Sequence, residues 1–293
     1  HKSVPMLMSD ITACNFDSIY HQKGIITAFK EAGYQTAFFS NQRYNHSFID
    51  FFGKEADTFD FIKEDSLDSA YNPSDDELLA LVAKELSKGN QKQFIVLHTY
   101  GSHFNYRERY PSEDAFFLPD YPVEAEVKYR DNLVNAYDNT IRYTDSFLSR
   151  LIHMLEEQHV DAAMLYTSDH GEDIFDDSRH LFLHASPVPS YYQLHVPFLI
   201  WMSDTYREAY PEHWQTVTGN KDKDVSSSCS FFPTMLELGG VQTSYRNDSS
   251  SVVSPLYTMK PRVYLNDHNE PRPLDDLGMK QPDFQKCQVL GIK

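Results

Sequence analysis

Short apolar runs of strand length alternate along this chain with segments whose apolar residues recur at helical spacing. No other feature of the sequence restricts its folds as much. The runs are Tyr34–Ser40 (YQTAFFS), Phe94–Leu97 (FIVL), Ala162–Tyr166 (AAMLY) and Val196–Met202 (VPFLIWM). A strand apolar on both sides needs cover on both faces, which a parallel sheet between helices provides. Between the runs, Ile25, Ile26 and Phe29 predict a helix over Gly24–Ala32 that stops at Gly33. Ser74-Asp-Asp-Glu77 reads as a capping box opening a second helix, with Leu78, Leu79, Leu81, Val82 and Leu86 lining it as far as Gly89. Leu133, Tyr137, Ile141, Phe147, Leu148, Leu151 and Leu155 predict a long helix from about Arg130 to Glu157. Asn220–Ser228 is polar and reads as a loop. The Pro-rich tail after Pro255 is expected to add an edge hairpin or wrap the surface. The fold expected is α/β, a three-layer α/β/α sandwich with a mostly parallel central sheet. No repeat or linker divides the chain, so 1–293 is expected to be a single domain.

Charge decides which partners fit. Among 293 residues the net charge is −17, which excludes nucleic acid and whole-surface adhesion to an anionic bilayer, since both are held by excess Lys and Arg. An anionic substrate needs local help from metal ions or clustered imidazoles, and 13 histidines are present. Cys14, Cys229 and Cys287 form no CxxC pair, so no cysteine zinc site is expected. One disulfide plus a free thiol and three free thiols fit equally well. No apolar run approaches the ~20 residues that cross a bilayer.

Two segments carry chemistry, each directly after a predicted strand, where ligands gather in open α/β sheets. Thr167-Ser-Asp169-His170-Gly171-Glu172 follows Ala162–Tyr166. Asp169 and His170 offer a divalent cation one carboxylate and one imidazole, ligands that zinc accepts; equally, Asp169 caps a helix and His170 is a polar loop residue. His98-Thr-Tyr-Gly101-Ser-His103 follows Phe94–Leu97. Its histidines suit donation to a phosphoryl oxygen or protonation of a leaving group, or else fill a polar turn. In His180-Leu-Phe-Leu-His184 the intervening residues predict a loop, with His184 the site residue and His180 a bystander. His195, ahead of a strand, is expected to anchor it.

Taken together, these segments resemble the phosphoethanolamine transferases, a branch of the alkaline phosphatase and sulfatase superfamily. The markers, in order, are Ser3-Val-Pro-Met-Leu-Met-Ser9, Ala32-Gly-Tyr-Gln-Thr36, Ser40-Asn-Gln42 and His98-Thr-Tyr-Gly-Ser-His103. Arg109-Tyr-Pro111, Asn135-Ala-Tyr-Asp-Asn139, Tyr143-Thr-Asp145, Ser168-Asp-His-Gly-Glu172, His184 and His195-Val-Pro-Phe198 follow. The resemblance implies an alkaline-phosphatase/sulfatase-like fold with one or two zinc ions. It makes Asp169 and His170 metal ligands, has His103 and His184 hold the phosphoryl group or a second zinc, and makes His98 a nearby support. It implies phosphatidylethanolamine as donor and lipid A or another envelope glycan as acceptor. The catalytic domain is then expected at the periplasmic face of the bacterial inner membrane, anchored by helices that precede it.

Two departures matter. The family's threonine nucleophile and a glutamate ligand are expected upstream of His1, so the chain alone is expected to be inactive although its parent is an enzyme. The C/S-x-P-x-R motif of sulfatases is absent, because Cys14 is followed by Asn-Phe-Asp. The alternatives are a phosphodiesterase- or phosphatase-type hydrolase of the same superfamily, and a non-catalytic module that kept the fold.

Overall fold

A computed structural model of the chain describes residues 2–44, 46–65, 72–89, 92–184, 188–266, 268–276 and 278–290; His1 lies outside them. The strands are β1 (Gln35–Ser40), β2 (Thr58–Phe61), β3 (Gln93–His98), β4 (Ala163–Thr167), β5 (Asp173–Ile174), β6 (Phe182–Leu183), β7 (Phe198–Met202), β8 (Val263–Leu265) and β9 (Pro271–Pro273). Two units are formed: residues 35–158 with 173–183, and residues 1–34 with 159–172 and 184–293.

In the unit built on residues 35–158, β2, β1 and β3 make a parallel sheet in that order. β1 is buried from Thr36 to Ser40, as its apolar sequence predicts. Alternate residues point to opposite faces. Ala37 and Phe39 pack with Ile62, Leu78 and Phe147, the last two from the helices Glu77–Leu86 and Arg130–Glu157. Phe38 is 1% exposed, and its ring meets Gly53, where a β-carbon would come within 2.7 Å of it. Only glycine lets the helix Phe48–Gly53 come that close. Burying an aromatic ring of this kind contributes about 2 kcal/mol, so each face of β1 helps to hold the sheet.

The helix Arg130–Glu157 spans the residues its periodicity predicts. Its buried stripe differs from the predicted one: Leu133, Ala136, Thr140, Tyr143, Phe147 and Leu151 face inward, whereas Ile141 is 49% exposed. Steps of three and four from Thr140 to Phe147 leave Ile141 on the solvent side. Asn139 is 1% exposed and fastens the loop before the helix. Its Oδ1 accepts from the amides of Phe116 and Phe117, each at 2.9 Å. Its Nδ2 donates to the Phe117 carbonyl at 3.0 Å and the Tyr110 hydroxyl at 3.2 Å.

The capping box over Ser74–Glu77 does not form. Asp76 occupies the cap position without a side-chain cap bond, because its carboxylate is taken by the Arg150 guanidinium. Asp75 instead accepts from the amides of Tyr100 and Gly101. The box itself needs Ser74 as cap and Glu77 three residues on, whereas the helix starts at Glu77 with Asp76 as its cap, so Glu77 is its first residue and the motif is out of register.

In the other unit, β4 and β7 pair antiparallel, with Ala163 opposite Met202 and Thr167 opposite Phe198. Both are largely half-buried rather than fully covered. Met202, Tyr206, Leu238 and Val253 form the core beside them. The helix Ser227–Leu238 packs against Ser3–Met8 and Ile25–Glu31. Ile25–Glu31 ends as predicted, with Gly33 at φ 85° just beyond it, a conformation that costs glycine little. The loop predicted around Asn220–Ser228 is 221–226, between the helices Pro211–Asn220 and Ser227–Leu238. β8 and β9 are the hairpin expected of the tail. Cys14, Cys229 and Cys287 are free thiols. Among the described residues no helix is long and apolar enough to cross a membrane.

Candidate metal centre

The chain leaves β4 at Thr167 and enters a tight turn. The Ser168 hydroxyl donates to the His170 carbonyl at 2.7 Å, and the Gly171 amide donates to the Gln193 carbonyl at 2.9 Å. Gly171 is a close-approach glycine. A β-carbon there would be driven into the carbonyl oxygen of Tyr192 and would lie 3.2 Å from that residue's carbonyl carbon. The glycine therefore lets this turn seat against the backbone of Tyr192 and Gln193, fixing the two side chains that flank it.

Those side chains are His170 and Glu172, which meet His184. One ligand atom from each of the three lies within 4.8 Å of the other two. The rings of His170 and His184 are 3.9 Å apart, centre to centre, and tilted by 34°. His170 Nδ1 faces the Gly171 carbonyl at 3.0 Å. A carbonyl only accepts, so Nδ1 carries the hydrogen and Nε2 presents its lone pair. His184 Nδ1 lies 3.1 Å from a Glu172 carboxylate oxygen and donates to it. The Glu172 side chain is only 4% exposed, against 32% for that of His184.

Two imidazoles and a carboxylate are a zinc donor set. Ligands about 2.1 Å from a tetrahedral zinc lie roughly 3.4 Å from one another, so drawing this group onto an ion takes about 1 Å of side-chain movement. Asp169 stands beside the group, with a carboxylate oxygen 3.7 Å from His170 Nε2 and a side chain 36% exposed. The residues present thus fit a divalent cation, with three ligands in place and a fourth adjacent.

The expected site residues sort clearly. His170 and His184 come together, with Asp169 alongside. Glu172 had no role assigned from the sequence. The signal for it was its i, i+2 spacing from His170, which puts two side chains on one side of an extended segment. His180 is exposed, at φ 51°, outside the group. His195 Nδ1 hydrogen-bonds the Tyr191 hydroxyl at 2.6 Å, with the two rings stacked, which is the anchoring role expected of it.

His98 and His103 belong to the unit of residues 35–158. His98 ends β3 opposite Ser40, whose hydroxyl lies 2.9 Å from its Nδ1, at the carboxyl edge of the parallel strands. His103 follows Gly101, whose φ of 58° makes the turn. It is exposed, and its Nδ1 donates to the Phe104 carbonyl at 2.6 Å, which leaves Nε2 turned from that bond.

The sulfatase family model matches residues 1–241. The phosphoethanolamine transferase EptA of Salmonella typhimurium is 34% identical over 168 residues, 55% of this chain and 30% of that protein. The Kdo(2)-lipid A phosphoethanolamine 7''-transferase of Escherichia coli K12 is 36% identical over 138 residues, 45% of this chain and 24% of that protein. The chain thus spans well under half the length of these relatives. The C-terminal periplasmic domain of EcEptC from Escherichia coli, solved in complex with zinc, superposes with a TM-score of 0.83 at 22% identity. It covers 96% of this chain and 79% of that one. The chain belongs to the sulfatase family, with an alkaline-phosphatase/sulfatase-like α/β fold, and the relatives it is similar to there are phosphoethanolamine transferases.

Proposed function

We propose that this chain is the catalytic domain of a zinc-dependent transferase. It moves phosphoethanolamine from phosphatidylethanolamine to lipid A or another envelope glycan, at the periplasmic face of the bacterial inner membrane. The observation that carries this reading is the His170–Glu172–His184 group, set after the end of β4 in a chain similar to named lipid A phosphoethanolamine transferases. The zinc found with the EcEptC domain supports the choice of ion.

In this reading Asp169 and His170 hold zinc, with Glu172 as a further ligand or as the carboxylate that orients His184. A zinc ion bound there supplies positive charge that polarises a phosphoryl oxygen and lowers the pKa of a hydroxyl nucleophile. Negative charge spreads over the equatorial phosphoryl oxygens during transfer; the imidazolium form of His184, protonated at Nε2 as well, donates to them, and His103, in the other unit, is the second candidate for that role. His98, fixed by Ser40, supports the carboxyl edge of the sheet. The nucleophile is a threonine of the parent protein. Its oxygen attacks phosphorus, diacylglycerol leaves with the departing oxygen, and the phosphoethanolamine-threonine then passes the group to the acceptor.

The test uses the parent protein in vesicles of phosphatidylethanolamine with lipid A, read by mass spectrometry of the lipids. Modified lipid A should form, vanish with a chelator, return with zinc, and be lost in His170→Ala. Donor consumed without modified acceptor would replace the transferase by a hydrolase. Intact donor in a zinc-loaded parent would overturn the reading.

A further inference from the structure

The turn that carries His170 and Glu172 is seated on the helix Tyr191–Leu194, and that helix does not hold itself in place. It has 4 residues, and so short a helix is unfavourable without outside contacts. Its position is therefore set by what its backbone groups meet. The Gln193 carbonyl accepts from the Gly171 amide at 2.9 Å, and the Tyr192 carbonyl is the group that only a glycine at 171 approaches. The first amides of any helix lack partners within it. Here Ser190 Oγ accepts from the Gln193 amide at 3.3 Å. The Tyr191 amide donates at 2.8 Å to Oδ1 of Asp283, 92 positions further along the chain.

Asp283 stands in the helix Gln281–Val289, beyond the residues 1–241 that match the sulfatase family model. That helix buries only Asp283, 1% exposed, and Cys287, one turn apart on the same face. A carboxylate is a costly choice for so small an inward face, because a buried charge is tolerated only when its oxygens are bonded. The two oxygens are divided. Oδ2 accepts from the Lys280 amide at 3.0 Å and caps its own helix, while Oδ1 serves Tyr191. Capping therefore accounts for one oxygen and not for the other.

We propose that Asp283 is a positioning residue of the metal centre. Through the Tyr191 amide it fixes the short helix against which Gly171 seats, and so holds His170 and Glu172 toward His184. The link runs from the Asp283 carboxylate to the Tyr191 amide, and from the Gln193 carbonyl to the Gly171 amide, all within one unit of the fold. A segment far from the ligands in sequence thereby sets their geometry. The assignment rests on reading His170, Glu172 and His184 as a metal centre.

The experiment compares the parent protein with Asp283→Ala, Asp283→Asn and Thr234→Val. Thr234 is 0% exposed and its hydroxyl accepts from the Val252 amide at 3.0 Å, so Thr234→Val also loses one buried hydrogen bond, but none in the link to Gly171. In metal-free protein, hydrogen exchange at the Gly171 amide, read by mass spectrometry, should quicken about fivefold in Asp283→Ala, the scale of one lost hydrogen bond. Cobalt(II), titrated in place of zinc, should bind Asp283→Ala about tenfold more weakly, with shifted visible absorption bands. Asparagine keeps an oxygen for Tyr191, so Asp283→Asn should restore both readouts, and Thr234→Val should alter neither. Coupling is reciprocal, so cobalt should also slow exchange at the Tyr191 amide of the unaltered protein. Unchanged exchange at Gly171 in Asp283→Ala, equal disturbance by Thr234→Val, or cobalt that binds the unaltered protein without slowing Tyr191 overturns the assignment. Normal cobalt binding by Asp283→Ala overturns it too. No cobalt bound by the unaltered protein overturns the reading of the centre itself, and this assignment with it.

Discussion

Gly171→Ala should damage the metal centre without touching any of its ligands. The added methyl is driven into the Tyr192 carbonyl oxygen and lies 3.5 Å from Gln193 Cα, so backbone rather than a yielding side-chain end must move. Clearing it takes a displacement of about 1 Å, and overpacking of this kind costs about 1–3 kcal/mol. The same displacement stretches the 2.9 Å bond from the Gly171 amide to the Gln193 carbonyl out of range, adding about 1 kcal/mol. Together they give a loss of about 2–4 kcal/mol, which at this chain length lowers Tm by roughly 3–7 °C. His170 and Glu172 flank the glycine, so both shift relative to His184, and zinc affinity should fall by about tenfold or more. Scanning calorimetry measures the first effect, and competition with a chromophoric chelator the second. A variant with the Tm and zinc affinity of the parent sequence would refute the argument that this close approach sets the geometry of the centre.

Glu172→Gln keeps shape and volume but removes the carboxylate; zinc affinity should drop about tenfold to a hundredfold, while chelator-treated protein should melt within a few degrees of the unaltered chain. Asn139→Ala strands the Phe116 and Phe117 amides and the partners of its Nδ2; it should cost about 3 kcal/mol, read as a lower urea midpoint with an unchanged slope. Tyr110 is pushed up to about 12, by burial and then by its contact with Asp120, the Asn139 bond opposing. Its folded-state value exceeds that of the unfolded chain, so its contribution is whole below pH 10 and fades as pH rises toward 12. Tyr110→Phe should therefore flatten the loss of urea stability in that window, and an equally steep loss would show that other groups carry it.

Where local pattern suffices, the sequence could be read directly. The helix Arg130–Glu157 and the strands β1 and β3 lie where periodicity puts them, because spacing of apolar residues is a property of neighbours. Gly33 ends its helix for an equally local reason, its φ of 85°. Ile141 fell on the wrong face because it stands eight residues past Leu133, about 80° round the helix from it, directly after the buried Thr140. The cap at Ser74–Glu77 failed because the helix starts at Glu77, two residues later than the motif requires, with Asp75 and Asp76 held by residues tens of positions away.

The site divides along the same line. Residue types and their order were enough to single out Asp169, His170, His184, His98 and His103 and to suggest phosphoryl chemistry with zinc. Only the tertiary structure put Glu172 against His184, twelve residues on, and fitted Gly171 to the carbonyl of Tyr192. Lys63 and Arg109, 46 positions apart in the chain, meet on the ring of Tyr100 only in the folded structure. Local sequence fixes what a segment prefers to be, through backbone conformation and apolar spacing. Which charges and ligands meet depends on chain closure, which no local window contains.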